Sequence, residues 1–71
     1  GRRDAALVEL TTAVRLRPTE ADWHNRLGSA LGRAGRLREA LEQFQEALRL
    51  NPAHESARQN AALARRRLDG N

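Results

Sequence analysis

Apolar residues recur at intervals of three and four along most of the chain, which is the spacing of one face of an α-helix. The first such stripe consists of Ala6, Leu7, Leu10, Ala13 and Val14. It predicts a helix over residues 3–17, in which Asp4 serves either as the N-cap or as a first-turn acid. Pro18 ends this helix, because the residue before a proline disfavours helical backbone angles.

A second stripe predicts a helix over residues 20–34. Its members are Trp23, Leu27, Ala30, Leu31 and Ala34. Thr19 and Asp22 have the spacing of a capping box at its start, and Gly35 is placed to end it as a left-handed cap. Gly28 costs on the order of 1 kcal/mol of helix propensity relative to alanine. This cost predicts that another helix backbone passes close to Gly28.

Two further helices are predicted over residues 37–50 and 54–68. The apolar stripe of the third helix is Leu37, Ala40, Leu41, Phe44, Ala47 and Leu48, and that of the fourth is Ala57, Ala61, Ala64 and Leu68. Only Gly35 and Arg36 separate the second helix from the third, so these two helices must be antiparallel. Asn51 and Pro52 end the third helix. The fold class is therefore all-α.

The chain also repeats itself with a period of 34 residues. Residues 1–18 and 35–52 share eight identical positions, among them Gly1 with Gly35 and Pro18 with Pro52. The same shift applied to residues 19–37 and 53–71 leaves only two identities, Ala30 with Ala64 and Arg33 with Arg67. A fixed period of this length is typical of stacked helical units, and a degenerate last copy is typical of a terminal unit.

Composition narrows the possible functions. The 71 residues allow one small domain, and there is no cysteine for a disulfide, a thiol nucleophile or a thiolate metal site. The absence of cysteine fits a reducing compartment such as the cytoplasm. No apolar run is long enough to insert into a membrane.

His24 and His54 are 30 residues apart without a metal-ligand pattern around them, and no catalytic triad or carboxylate pair is indicated. We therefore predict no enzyme activity, no cofactor and no metal.

Several of these residues together identify a family resemblance. Leu27, Gly28, Leu31, Ala40, Phe44, Ala47 and Pro52 have the spacing of the tetratricopeptide repeat signature. Two departures are that Trp23 lies one place before the usual aromatic position, which His24 occupies, and that Leu31 replaces the usual tyrosine. On this resemblance residues 1–71 form a single domain. Residues 1–18 are the second helix of a preceding repeat, 21–54 a full repeat and 55–69 a capping helix.

The resemblance implies stacked antiparallel helix–turn–helix units in a short right-handed superhelix. The first helix of each unit would line a concave groove for a peptide or an extended segment. The residues carried onto that groove by position are Asp22, Asn25, Ser29, Arg33, Ser56, Gln59, Leu63, Arg66 and Arg67. The two-carboxylate clamp of chaperone-binding members is not predicted, because the chain has no lysine and Arg26 occupies the position of its central asparagine.

Three functions follow in order of preference. The first is a protein-interaction module whose groove binds a partner with acidic or carboxylate groups. The second is self-association as a homodimer through Ala6, Leu10 and Ala13, the face of the first helix that lacks its natural cover. The third is polyanion binding by Arg65, Arg66 and Arg67, although three consecutive helical residues do not form a compact patch, so nucleic acid is disfavoured. Trp23 is expected to pack between the first and second helices.

Overall fold

The computed structural model describes residues 2–70, except for the side chain of Arg3, and these residues form four helices joined by short turns. The helices are α1 (Arg2–Leu16), α2 (Ala21–Arg33), α3 (Leu37–Leu50) and α4 (Glu55–Asp69). The all-α prediction is confirmed, and each predicted helix boundary lies within one residue of the observed one. Gly1 and Asn71, which the predicted domain 1–71 includes, lie outside the described residues.

Each helix packs against the next one along the chain, and α2 also contacts α4. The described chain measures 32 × 31 × 14 Å between Cα atoms. Two helices packed about 8–10 Å apart, each with a Cα radius of about 2.3 Å, give a similar thickness. The molecule is therefore two helices thick, and α3 lies between α2 and α4.

Alanine accounts for much of the burial. Ala40, Ala47 and Ala57 have no exposed surface. The central cluster is formed by Leu27, Leu31, Ala40, Phe44, Ala61 and Ala64, and Leu7, Leu10, Val14, Leu41 and Leu48 pack against it from the side. Small side chains allow the helix backbones to approach closely, so that a chain with one Phe and one Trp still forms a continuous core.

The turn between α2 and α3 forms as predicted. Gly35 has φ of 82°, a left-handed conformation that residues with a Cβ rarely adopt. Its amide donates to the Gly32 carbonyl at 3.1 Å, and the Arg36 amide donates to the Leu31 carbonyl at 2.9 Å. These two bonds make a Schellman motif, which satisfies carbonyl groups at the end of α2 and reverses the chain.

The predicted start of α2 is wrong in its details. The N-cap is Glu20 and not Thr19, and no side chain caps the helix. The Trp23 amide donates instead to the backbone carbonyl of Glu20 at 3.2 Å. Because the helix begins one residue later than the capping box requires, Asp22 lies in the first turn and its carboxylate is used elsewhere.

Candidate peptide-binding groove

A cleft of about 280 Å³ opens between α2 and α4, and α3 forms its floor. We call it the α2–α4 groove. Its lining residues come from α2, α3 and α4 and are Ser29, Gly32, Arg33, Leu37, Ala40, Phe44, Asn60, Leu63, Ala64 and Arg67. The groove is thus apolar at its centre and polar at its edges. A floor of this kind suits an aliphatic side chain from a bound segment.

The floor exists because Phe44 extends under α2 at the point where Gly28 lies. A Cβ added to Gly28 would be 2.5 Å from Cε1 of the Phe44 ring. The sequence predicts a close approach at Gly28, which is correct, but the approaching group is an aromatic side chain and not a helix backbone. Leu63 lies on the α4 side of the groove and is 41% exposed, so its side chain can contact a ligand.

Two arginines that are 34 residues apart line the same groove. Arg33 ends α2, and Arg67 occupies the equivalent position near the end of α4. Within the described residues, no hydrogen bond or ion pair involves the Arg33 guanidinium. Both side chains are solvent-exposed, so the electrostatic attraction that they exert is screened by salt. The edges of the groove therefore carry positive charge.

Buried amide groups connect α2 to α4 at the other end of the groove. Asn25 is 9% exposed, and its Nδ2 donates to Ser56 Oγ at 3.2 Å. Asn60 Nδ2 donates in turn to Asn25 Oδ1 at 3.0 Å. Asn25 therefore makes bonds to two positions of α4, one turn apart. Hydrogen bonds from the buried Asn25 side chain to two residues of α4 hold these two helices at a fixed spacing.

The comparison with protein-family models identifies the central unit. The tetratricopeptide repeat model matches residues 21–54, which contain α2, α3 and the turn that follows them. Residues 21–54 are a tetratricopeptide repeat. The match covers 34 of the 71 residues. A search of curated proteins and a search of solved structures each returned no significant match. The family is a non-enzymatic protein-interaction repeat.

The structure brings four of the nine predicted groove residues together in the cleft of this repeat. They are Ser29, Arg33, Leu63 and Arg67. The other five lie outside that lining: Asp22, Asn25, Ser56, Gln59 and Arg66. Asn25 and Ser56 bond to each other, and Gln59 Nε2 donates to Glu55 Oε1 at 3.4 Å. Asn60 lines the groove and was missed, because its importance depends on a contact with α2 that helical spacing does not reveal.

His54 makes a second connection between α2 and α4. It is the N-cap of α4, and its Nδ1 accepts a hydrogen bond from the Ala57 amide at 3.1 Å. Nε2 must therefore carry the ring proton in the neutral form, and it donates to Asp22 Oδ1 at 2.6 Å. Asp22, predicted to face the groove, is thus bound to the start of α4. The preference for Ser, Thr, Asp and Asn at N-caps hides a histidine cap from sequence inspection.

Trp23 is half-buried near the start of α2. It lines a second cleft of about 400 Å³ at the start of α2, together with Leu50, Asn51 and His54. The Arg26 guanidinium lies over its ring, 4.9 Å from the centroid. The described residues of α1 do not line this cleft. The packing of Trp23 between α1 and α2 therefore stays a prediction.

His24 replaces the usual aromatic residue of the repeat and is 6% exposed. Its Nε2 donates to the Pro18 carbonyl at 2.8 Å, and its Nδ1 lies 2.8 Å from Gln43 Oε1. His24 therefore connects the turn before α2 to the middle of α3. The aromatic position of His24 in the repeat does not predict either hydrogen bond. Within the described residues, no group of three His, Cys, Asp or Glu side chains could hold a metal ion.

The outer surface of α3 carries ion pairs between residues three apart. Arg36 binds Glu39, and Arg49 binds Glu46. In each pair the guanidinium hydrogen bond lowers the pKa of the carboxyl group below its ordinary value, and the carboxylate raises the pKa of the arginine. Arg36, Glu39 and Arg49 are solvent-exposed and Glu46 is half-buried, so these pairs contribute little to stability. No described helix combines the length and the apolar character that a membrane span requires.

Proposed function

We propose that this chain is a protein-interaction module and that the α2–α4 groove binds an extended acidic segment of a partner. The observation that carries the proposal is the pairing of an apolar floor at Phe44 and Leu63 with cationic edges at Arg33 and Arg67. An aliphatic side chain of the ligand would occupy the floor. Carboxylates on either side of it would bind the two guanidinium groups, which offer several donors in a planar arrangement.

The spacing of the helices suggests the spacing of the acids. Packed helices lie about 8–10 Å apart, and an extended peptide advances about 3.3 Å per residue. Acidic residues three positions apart would therefore match arginines on neighbouring helices. The suitable probe is a capped peptide with an acidic residue at each end of that interval and leucine between them. The same peptide with amides in place of the carboxylates is its control.

The test measures the Kd of both peptides by fluorescence anisotropy at low and high salt. The acidic peptide should bind more tightly, and its advantage should shrink as salt increases. Arg33→Gln should weaken binding by roughly 1.4- to fivefold, the range for an exposed charge pair of about 0.2–1 kcal/mol. Arg38→Gln is the matched control, because Arg38 is exposed on α3 and does not line the groove. Equal binding of both peptides, or equal effects of both substitutions, would refute the proposal.

A second candidate is self-association through the face of α1 that carries Ala6, Leu10 and Ala13. These residues are half-buried, whereas Ala40, Phe44 and Ala47, their equivalents in α3, are at most 5% exposed. The difference arises because α3 packs against both α2 and α4, whereas α1 packs against α2 alone. Light scattering at two concentrations tests this candidate, and a mass that stays monomeric at both eliminates it.

A further inference from the structure

A different side of α1 carries an apolar stripe that faces solvent. Its members follow the spacing of one helix face and are Ala5, Val8, Thr12 and Leu16. All four are exposed; Val8 retains 66% and Leu16 retains 76% of its surface. We call these residues the outer stripe. It lies roughly opposite Leu10, which packs against the core, so α1 is apolar on two sides.

Helix α3, which is the equivalent of α1 one repeat later, shows that the side of the helix that carries the outer stripe does not need to be apolar. Shifting the outer stripe by 34 residues gives Glu39, Glu42, Glu46 and Leu50 on α3. In α3, which is packed on both sides, Glu39 and Glu42 are exposed, whereas Glu46 and Leu50 are half-buried. The side of α1 that carries Ala5 and Val8 is therefore the outside of the stack. A further stacked helix would not cover Ala5 and Val8, because α2 and α4 leave the equivalent positions of α3 exposed.

The hydroxyl group of Thr12 is hydrogen-bonded within α1. Its hydroxyl donates to the Val8 carbonyl at 2.9 Å, one turn earlier in the same helix. This bond satisfies the hydroxyl donor within α1 and leaves the methyl group to extend the apolar surface between Val8 and Leu16. The outer stripe thus presents four positions in a row without a charge.

We propose that the outer stripe is a homodimer interface in which α1 packs antiparallel against α1 of a second copy. A two-fold axis near residue 10 places Val8 against the partner's Thr12, and Ala5 against the partner's Leu16. Small residues then face large ones, as close helix packing requires. A parallel pairing would instead set Leu16 against the partner's Leu16 and leave Ala5 against the partner's Ala5.

Charge at the edge of the stripe favours the same arrangement. Asp4 and Arg15 border the stripe on one side, near opposite ends of α1. In the antiparallel dimer Asp4 approaches the partner's Arg15, and the symmetry repeats this attraction a second time. Glu9 borders the other side and approaches the partner's Glu9. The arrangement therefore makes an unusual prediction, that Glu9→Gln tightens the dimer by removing a like-charge repulsion.

Sedimentation of the 71-residue chain over roughly 10 µM to 1 mM tests the proposal, because a single helix pair makes a small and weak interface. The wild type should show a concentration-dependent monomer–dimer equilibrium. Replacing Ala5, Val8 and Thr12 by glutamate restores the acidic pattern of α3 and should raise the dimer Kd at least about tenfold. Thr11→Glu is the control, because it adds the same charge to an exposed position of α1 outside the stripe.

Cysteine cross-linking tests the register and separates this interface from the one through Ala6, Leu10 and Ala13. The chain has no native cysteine. A mixture of Ala5→Cys and Leu16→Cys chains should form a mixed disulfide. Leu16→Cys alone should not, because an antiparallel pair holds the two copies of residue 16 about 17 Å apart along the helix. A wild type that is monomeric throughout, a triple variant that dimerises normally, or efficient cross-linking of Leu16→Cys alone would each overturn the proposal.

Discussion

Two glycines in α2 provide a direct test of the packing at the centre of the repeat. A Cβ at Gly28 would meet three atoms of the Phe44 ring at 2.5, 2.7 and 3.0 Å. A Cβ at Gly32 would meet only the Ala40 Cβ, at 4.0 Å, which is an ordinary contact. The two positions are four residues apart on one helix. Alanine at each therefore brings a similar gain in helix propensity and a very different steric result.

The balance between helix propensity and steric cost decides whether alanine stabilises or destabilises the protein at each site. Gly→Ala in a helix interior gains about 0.8–1 kcal/mol, and forcing extra volume into a packed core costs about 1–3 kcal/mol. The Phe44 ring is 5% exposed and belongs to the central cluster, so it cannot move aside into solvent. We expect Gly28→Ala to lower the unfolding free energy by about 1 kcal/mol. We expect Gly32→Ala to raise it by about 0.4–1 kcal/mol.

Thermal and urea unfolding followed by circular dichroism at 222 nm measures both effects. For a domain of this size, 1 kcal/mol corresponds to a change in Tm of about 4–8 °C. A double-mutant cycle with Phe44→Leu assigns the cause, because the smaller side chain should remove much of the penalty at Gly28 and leave the gain at Gly32 unchanged. If Gly28→Ala stabilises the protein as much as Gly32→Ala does, the close packing of Phe44 under α2 is refuted.

Two further predictions concern the polar groups around the helices. His54→Ala should destabilise the protein by about 1 kcal/mol through loss of the α4 N-cap, and His54→Asn should recover much of this loss because asparagine caps well; equal melting curves for the two variants would contradict the cap. Glu39 and Glu46 have folded-state pKa values below the ordinary 4.5, so their small contribution to stability is complete above that pH and is lost as pH falls through the lowered values. Replacing both by glutamine should therefore reduce the difference in Tm between pH 7 and pH 3, and an unchanged difference would count against these ion pairs.

Helical spacing and the 34-residue period were sufficient to predict the four helices, because both depend on residues close in the sequence. Gly35 is a clear example, since a glycine after an apolar stripe is a local signal for a left-handed cap. The boundaries at Pro18 and Pro52 are local for the same reason. The family match at residues 21–54 confirms the central repeat.

The predicted groove was less accurate because its residues depend on contacts between helices. Asn25 and Ser29 are one turn apart on α2, and the sequence alone treats them alike. Asn25 is close enough to α4 to form hydrogen bonds with Ser56 and Asn60. Ser29 lines the groove instead.

The amide network at Asn25 has a consequence for redesign. The spacing of α2 and α4 is maintained by groups at one end of the groove, whereas Arg33 and Arg67 stand about two helical turns away at the other end. The spacing of α2 and α4 and the charge at the edges of the groove are therefore set by different side chains. On the proposed function, libraries that vary Ser29, Arg33 and Leu63 would change which peptides bind while the spacing of α2 and α4 is kept, whereas variation at Asn25 would change that spacing.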